Sequence, residues 1–411
     1  MKIAVIGSGI SGLSAAYYLS KKYKVDLFEK EDHFGGHSYT YDIKEDKKII
    51  PVDLGFIVFN EKTYPNLINF FKELKVDYEK SNMSFGVSIK DSKIEYSGKS
   101  LGSMFCNKSN IFNFKFIKLI LDIIKFYKSA PSLLWGNENL TLGDFLEKNK
   151  TSSYLKNFHI IPMVAAIWSM PFTKAQDMPL GLFINFFINH GLFKLKNRPQ
   201  WFTVSGRSRK YVSKVLPQIS GEYFKNYKIN KISRTENNIR IAVGSNEDYL
   251  DYDHVVLACH ANESLALLEE PTAEEKSVLS KFQYVANTAF LHTDEQLMPK
   301  NKSAWSSWNS ISKKDLSNTC VTYWLNLLQN LDTDKNYFLT LNPIQNIENK
   351  NIIKRLIFTH PHFNLENTMV QKSLHFLQGV KRTWFCGSYF GYGFHEDGLK
   401  SSLNMIKQFK I

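Results

Sequence analysis

Three glycines, Gly7, Gly9 and Gly12, with Ser8, Ile10 and Ser11 between them, have a spacing that implies chemistry. A short apolar run, Lys2 to Ile6, precedes them, and a helical pattern through Leu13, Ala16, Tyr17 and Leu19 follows. In that order Gly7 permits a tight turn, Gly9 lets backbone approach a pyrophosphate, and Gly12 lets the helix pack close on the strand. The helix start, with Ser11 in its first turn, offers unpaired N–H groups and a positive dipole end to phosphate oxygens. A second strand, Lys24 to Phe28, ends at Glu29, and an acid about 20 residues past the glycines is placed to accept both hydroxyls of an unphosphorylated ribose. These residues imply a dinucleotide, with NAD and FAD both open.

The next residues, Lys30-Glu31-Asp32-His33-Phe34-Gly35-Gly36-His37, resemble the GG motif that follows the ribose acid in the monoamine oxidase, protoporphyrinogen oxidase and phytoene desaturase superfamily. The resemblance implies FAD, with Lys30, Gly36 and His37 in the segment beside its phosphates; His37 stands where relatives usually carry arginine. Val52-Asp53-Leu54-Gly55-Phe56-Ile57 is similar to the family segment that runs beside the flavin ring, which assigns Gly55, Phe56 and Ile57 to the site. Ile229-x-x-Ile232 matches a place where relatives bind adenine through backbone groups, although Ile229 alone reads as core. Near the C-terminus, WFCGSYFGYGFHEDGLKSS (384–402) resembles the family's closing segment. Gly387 and Ser388 then lie near the ribityl-pyrophosphate, and Gly398 with Leu399, at the start of the terminal helix, near the isoalloxazine. VDLGFIVFNEKTYPNL, IIPMVAAIWSMP, RPQWFTVSGRSRKYV, HVVLACHANESLALL and SAWSSWN extend the resemblance, which is closest to a bacterial branch associated with modification of fatty-acyl phospholipids.

The resemblance implies an α/β chain whose Rossmann-type FAD-binding domain (residues 1–60, 200–268 and 380–411) is interleaved with an α+β substrate domain (61–199 and 269–379), amine-oxidase-like. Residues 61–199 read as mainly helical. Catalytic candidates come from the strand at 284–292, where Asn287 stands near the place of the amine oxidases' lysine, and from the loop before the terminal helix. That loop carries Tyr389, Tyr392, Phe394, His395 and Glu396, with His395 the candidate base. The missing lysine counts against amine oxidation. Trp168, Trp201, Tyr323 and Asn326 are weaker pocket candidates, and His260 and His292 read as structural.

Composition bounds the rest. Four scattered cysteines, Cys106, Cys259, Cys320 and Cys386, suggest neither a disulfide framework nor a metal site, and fit a reducing cytoplasm. No segment reads as a transmembrane span or a signal peptide. The formal charge of +13 suits an anionic surface or reflects a lysine-rich codon bias; no nucleic-acid partner is expected. From Ile111 to Lys128, Lys115, Lys118, Lys125 and Lys128 with Asp122 share one arc of a helix that is otherwise apolar. Two readings fit equally: a helix lying in a membrane interface, on the inner face of the membrane, or a core helix with a solvated lysine stripe. The functional expectation is FAD-dependent dehydrogenation of an apolar lipid. An amine, porphyrinogen or carotenoid oxidase, or a non-catalytic flavin-binding protein, are the alternatives.

Overall fold

The computed structural model describes residues 1–409 apart from 93, 138, 169, 195–196, 245–247 and 315–318. β1 (Lys2–Ile6) is apolar and buried at every position but its first, the pattern of a strand covered on both faces of a parallel sheet. The glycine turn leads into α1 (Ile10–Ser20), which returns the chain to β2 (Lys24–Phe28), paired in parallel with β1 from Lys2↔Lys24 to Ile6↔Phe28. Three distant segments complete this five-stranded parallel sheet, in the order Tyr223–Phe224, β2, β1, His254–Leu257, Thr383–Phe385. One face packs Ile3, Val5, Val25, Leu27 and Val256 against α1. The other packs Ala4, Phe28, Val255 and Leu257 against a three-stranded antiparallel layer, Ile229–Arg234, Ile239–Val243 and Asp248–Tyr252.

The intervening chain builds a second body. α2 (Pro65–Glu73), expected in the substrate domain, instead packs Leu67, Phe70 and Phe71 with α1 in the nucleotide core; the helices of the second body include α3 (Phe114–Ser129) and α4 (Leu180–Asn189), and its seven-stranded sheet begins with β3 (Gln283–His292) against the edge strand β4 (Ile352–His362). The reading of residues 61–199 as mainly helical misses three strands among the described residues, of which Tyr78–Ser81 pairs with Trp201–Val204. Phe85–Ile89 and Glu95–Ser97 join the seven-stranded sheet, the first in parallel with Trp308–Ser312, a partner so distant in sequence that no local pattern announces it.

α3 resolves the two readings of its apolar face. Phe116, Leu119, Ile123, Phe126 and Tyr127 are buried in one core with Phe145, Leu146, Phe183 and Phe187, so the broad apolar face is the protein's own interior. The helix starts later than the sequence suggests: Lys108–Phe112 is a 3-10 turn, and the Asn113 side chain accepts from the N–H groups of Lys115 and Phe116 to cap α3. Among the described residues no helix is long and apolar enough to cross a membrane.

The terminal helix, α5 (His395–Gln408), opens one turn earlier than Gly398, because the Asp397 carboxylate accepts from the Phe394 N–H and closes a cap there. It lies along α1, and small residues let the two approach: Ser14 Oγ and Ser402 Oγ are 2.6 Å apart.

Candidate functional site

The glycine turn is fixed by contacts that a side chain would break. Gly7 has φ +98° and donates its N–H to the Phe28 carbonyl at 2.8 Å. A Cβ on Gly12 would fall 1.8 Å from the Gly7 carbonyl oxygen, whereas one on Gly9 would meet nothing within 4 Å. Gly12 therefore serves packing, and Gly9 borders open space in front of the α1 N-terminus, where an incoming phosphate meets unpaired N–H groups. Gly36, at φ +55°, is set against Gly9, and a Cβ on it would lie 3.1 Å from the Gly9 Cα.

Glu29 has a nearer partner than a ribose. Its carboxylate accepts from Ser8 N–H at 2.9 Å, Ser8 Oγ at 2.6 Å and Glu31 N–H at 3.0 Å, and so holds the turn to the end of β2. Three of its four lone-pair sites are used in this way, two of them on Oε2, which leaves one on Oε1 for a ribose hydroxyl. Ser8 is the residue that sequence reasoning passed over; the signal was a hydroxyl inside the glycine turn facing an acid. Lys30 reaches away to Glu263, 2.7 Å distant, and so has a structural partner rather than a phosphate.

His37 follows Gly36 into the seam between the two bodies. A Cβ on Gly55 would come within 2.1 Å of the His37 carbonyl, which accepts from Phe56 N–H at 2.8 Å, so Gly55 is where the segments touch. The His37 ring stacks on Phe358 of β4 at 5.3 Å, and its Nε2 is buried with no hydrogen-bond partner. Burial, helped by His260, holds this imidazole down to about 4, so it is neutral. Ile57 is buried core. Ile229 is also buried, on a strand whose register slips between Ile229 and Lys231, a bulge that takes backbone groups out of the ladder.

The C-terminal segment closes the same place. Gly387 donates its N–H to Ser401 Oγ at 2.9 Å, and the Ser388 carbonyl accepts from the Gly391 and Gly393 N–H groups. A Cβ on Gly398 would lie 2.7 Å from Ser11 Oγ and 2.9 Å from Ile10 Cγ2. Gly398 thus brings the first turn of α5 against the first turn of α1, and two positive helix ends converge. Leu399 is fully buried beneath them.

The catalytic candidates divide. His395 Nε2 lies 2.9 Å from Ser38 Oγ and 3.3 Å from Tyr211 Oη, its ring stacks on Phe56 at 3.7 Å, and burial holds it down to about 3. It is a neutral, locked imidazole. Glu396 is committed to the fold: its two oxygens accept from Asn66 N–H at 3.0 Å, Asn66 Nδ2 at 2.6 Å and Leu67 N–H at 3.0 Å, capping α2, which argues against a role as acid or base. Tyr392 and Phe394 join Trp168 and Phe186 in an aromatic block, with Phe186 to Phe394 at 4.8 Å, Phe186 to Trp168 at 4.7 Å and Phe186 to Tyr392 at 6.0 Å. The Tyr392 carbonyl accepts from Trp168 Nε1 at 3.2 Å.

Asn287 is buried on β3 and donates from Nδ2 to His360 Nδ1 of β4 at 2.9 Å while Oδ1 accepts from Asn342. That fixes the His360 proton on Nε2, and burial with His37 beside it holds the ring down to about 3. His37 and His360 lie 5.4 Å apart, so the nucleotide turn and the strand carrying Asn287 meet across the seam. Tyr389 is buried under Gly387. Tyr323 and Asn326 serve the sheet and its turn, Asn326 accepting from Tyr337 N–H, and Trp201 stacks on His190. His292 is bonded to Thr340, and His260 stacks on Tyr284.

Comparison with known proteins agrees with this geometry. Residues 5–74 match the model of the NAD(P)-binding Rossmann-like domain. A 1-hydroxycarotenoid 3,4-desaturase from Flavobacterium sp. (strain P99-3) is 40% identical over 79 residues, a stretch covering 19% of this chain and 15% of that enzyme. Across its full length the chain is similar to the crystal structure of a CLA-producing fatty acid isomerase from P. acnes, with a TM-score of 0.71, 13% identity and 98% of that chain covered. It is also similar to cyclohexylamine oxidase from Brevibacterium oxydans IH-35A, with a TM-score of 0.67, 13% identity and 99% of that chain covered. A putative protoporphyrinogen oxidase from Exiguobacterium sp. 255-15 gives a TM-score of 0.66 at 14% identity, with 99% of this chain and 98% of that one covered. The chain has a Rossmann-type nucleotide domain within an amine-oxidase-like fold.

Proposed function

We propose that the protein is an FAD-dependent oxidoreductase that dehydrogenates an apolar, lipid-like chain, such as a modified unsaturated acyl chain of a phospholipid. The observation that carries this reading is the convergence of the α1 and α5 N-termini at Ser11 and Gly398, beside a Gly9 that borders open space. Two positive helix ends at one point suit a ligand with negative charge spread along its length. Glu29 would hold the ribose, Gly9 and Gly36 would admit the pyrophosphate to backbone N–H groups, and the first turn of α5 would face the flavin. The unpartnered His37 Nε2 is a polar atom that the bound cofactor would satisfy. Bound there, FAD supplies an acceptor for a hydride taken from carbon.

The substrate half rests on the aromatic block of Trp168, Phe186, Tyr392 and Phe394 beside the loop that ends at His395. Such a surface desolvates a hydrocarbon chain and excludes water from the reacting carbon. Asn287 and His360 add a neutral hydrogen-bonding pair, and His395 is neutral as well, so these groups bring no charge to the site that would oppose a hydrocarbon chain. Two of the similar proteins are, by name, a fatty acid isomerase and a hydroxycarotenoid desaturase, which supports an apolar substrate.

The purified protein should be yellow and release FAD on denaturation, and a total lipid extract added without oxygen should bleach it. Colourless protein that titrates only NAD overturns the cofactor assignment. Bleaching by polyamines or porphyrinogens and not by lipid overturns the substrate, and no bleaching by any of them overturns the enzymatic reading.

A further inference from the structure

With its broad apolar face in the core, α3 should present an ordinary polar surface to solvent, and it does not. Phe114, Lys118, Leu121, Lys125 and Lys128 follow the i, i+4, i+7, i+11, i+14 spacing that aligns them on one outward line. Phe114 is 90% exposed and Leu121 60%, and the 3-10 turn before the helix adds Ile111 at 51% and Phe112 at 86%. Singly exposed apolar residues are ordinary, but a cluster of them at one element marks an interaction site. The charge beside them has one sign: Lys108, Lys115, Lys118, Lys125 and Lys128 are exposed, and Asp122, 3.9 Å from Lys118, is the single acid on the helix.

We propose that this face docks on an anionic lipid bilayer, with α3 lying in the plane of the surface, Phe112, Phe114 and Leu121 entering the acyl boundary, and the lysines pairing with lipid phosphates. Phe114 and Leu121 share one line with Lys118, Lys125 and Lys128, which leaves no continuous apolar stripe for a partner helix, whereas the headgroup boundary takes both kinds at once. The inward face of α3 belongs to the same apolar core that holds Phe186, Tyr392 and Phe394, so docking sets the lipid surface and the aromatic block on opposite sides of one helix layer. The surface stands on its own residues, and its test does not depend on the reaction.

The test is co-sedimentation of the flavin-loaded protein with vesicles of phosphatidylcholine alone and with phosphatidylglycerol added. Binding should require the anionic lipid and weaken as salt rises. Replacing Phe112 and Phe114 together by serine, or Lys115, Lys118, Lys125 and Lys128 together by glutamate, should each lower the vesicle partition coefficient at least about tenfold. All six side chains are exposed, so circular dichroism and the visible spectrum should be unchanged. Replacing the exposed Lys24, Lys72, Lys276 and Lys372 by glutamate is the control, and it should cost much less. The proposal is overturned if the parent ignores anionic vesicles, binds neutral ones equally well, or loses as much to the control. It is equally overturned if the serine pair changes only the oligomeric state seen by light scattering, which would make the face a contact between copies or with another protein.

Discussion

Gly9→Ala should separate cofactor binding from folding. Gly9 has φ −62° and ψ 178°, backbone that alanine adopts without strain, and the added methyl would touch nothing in the protein. The folding cost is then confined to the helix cap, where alanine is poorer than glycine by roughly 0.5–1 kcal/mol, a shift of the melting temperature of only about 1 °C. The methyl would nevertheless stand in the space before the α1 N-terminus that a pyrophosphate needs. Displacing one charge-assisted N–H to phosphate bond costs about 1.5–3 kcal/mol, a rise in the FAD dissociation constant of about tenfold to a hundredfold. Gly12→Ala is the counterpart, since its Cβ would overlap the Gly7 carbonyl at 1.8 Å and the domain should not fold. Calorimetric unfolding of the apoprotein and titration with FAD read the two effects separately. Gly9→Ala protein that binds FAD as tightly as the parent would refute the placement of the phosphates; a large loss of apoprotein stability would refute the open space in front of Gly9.

Glu396→Gln should lower stability by about 1–2 kcal/mol in urea unfolding, since a neutral side chain caps α2 more weakly, and should leave the flavin spectrum unchanged. Arg234→Ala should cost about 3–5 kcal/mol by the same assay, because it strands Glu275 buried at a pair now 2.6 Å apart. On α3, Phe116→Ala should cost about 3–5 kcal/mol while Phe114→Ala stays within about 0.5 kcal/mol, the difference between a buried and an exposed ring. Stability should also fall on acidification below about pH 6.5, the ordinary histidine pKa. Burial holds His37, His190 and His292 down to about 4, and His159, His360 and His395 down to about 3. A folded pKa depressed this way gives stability that is complete above the unfolded value and is lost as pH drops toward the folded one. Asp53, pushed up to about 6, and Asp397, to about 7, work the other way, losing stability as pH rises through those values. A melting temperature that stayed level from pH 7 to 4 would contradict the histidine environments.

The sequence by itself determined the nucleotide turn. Gly7, Gly9, Gly12 and Glu29 are contiguous or nearly so, and their spacing within one strand, turn and helix carries the geometry without help from the rest of the chain. It also determined the apolar face of α3, because a periodicity of 3.6 residues is a local property. What that face packs against was not local. The same pattern fits a bilayer or a core, and only the positions of Phe145, Phe183 and Phe187 showed that it is core, leaving the exposed line of Phe114, Leu121 and lysines outside as the surface that remains. The strand Phe85–Ile89 was invisible for the same reason, since its parallel partner begins at Trp308. At the site, Glu396 and His395 looked alike in sequence, two polar residues beside the flavin loop. Tertiary structure gave Glu396 to the N-terminus of α2 and left His395 neutral between Ser38 and Phe56, because a side chain's hydrogen-bond partners and burial are set by segments that meet only when the chain is folded.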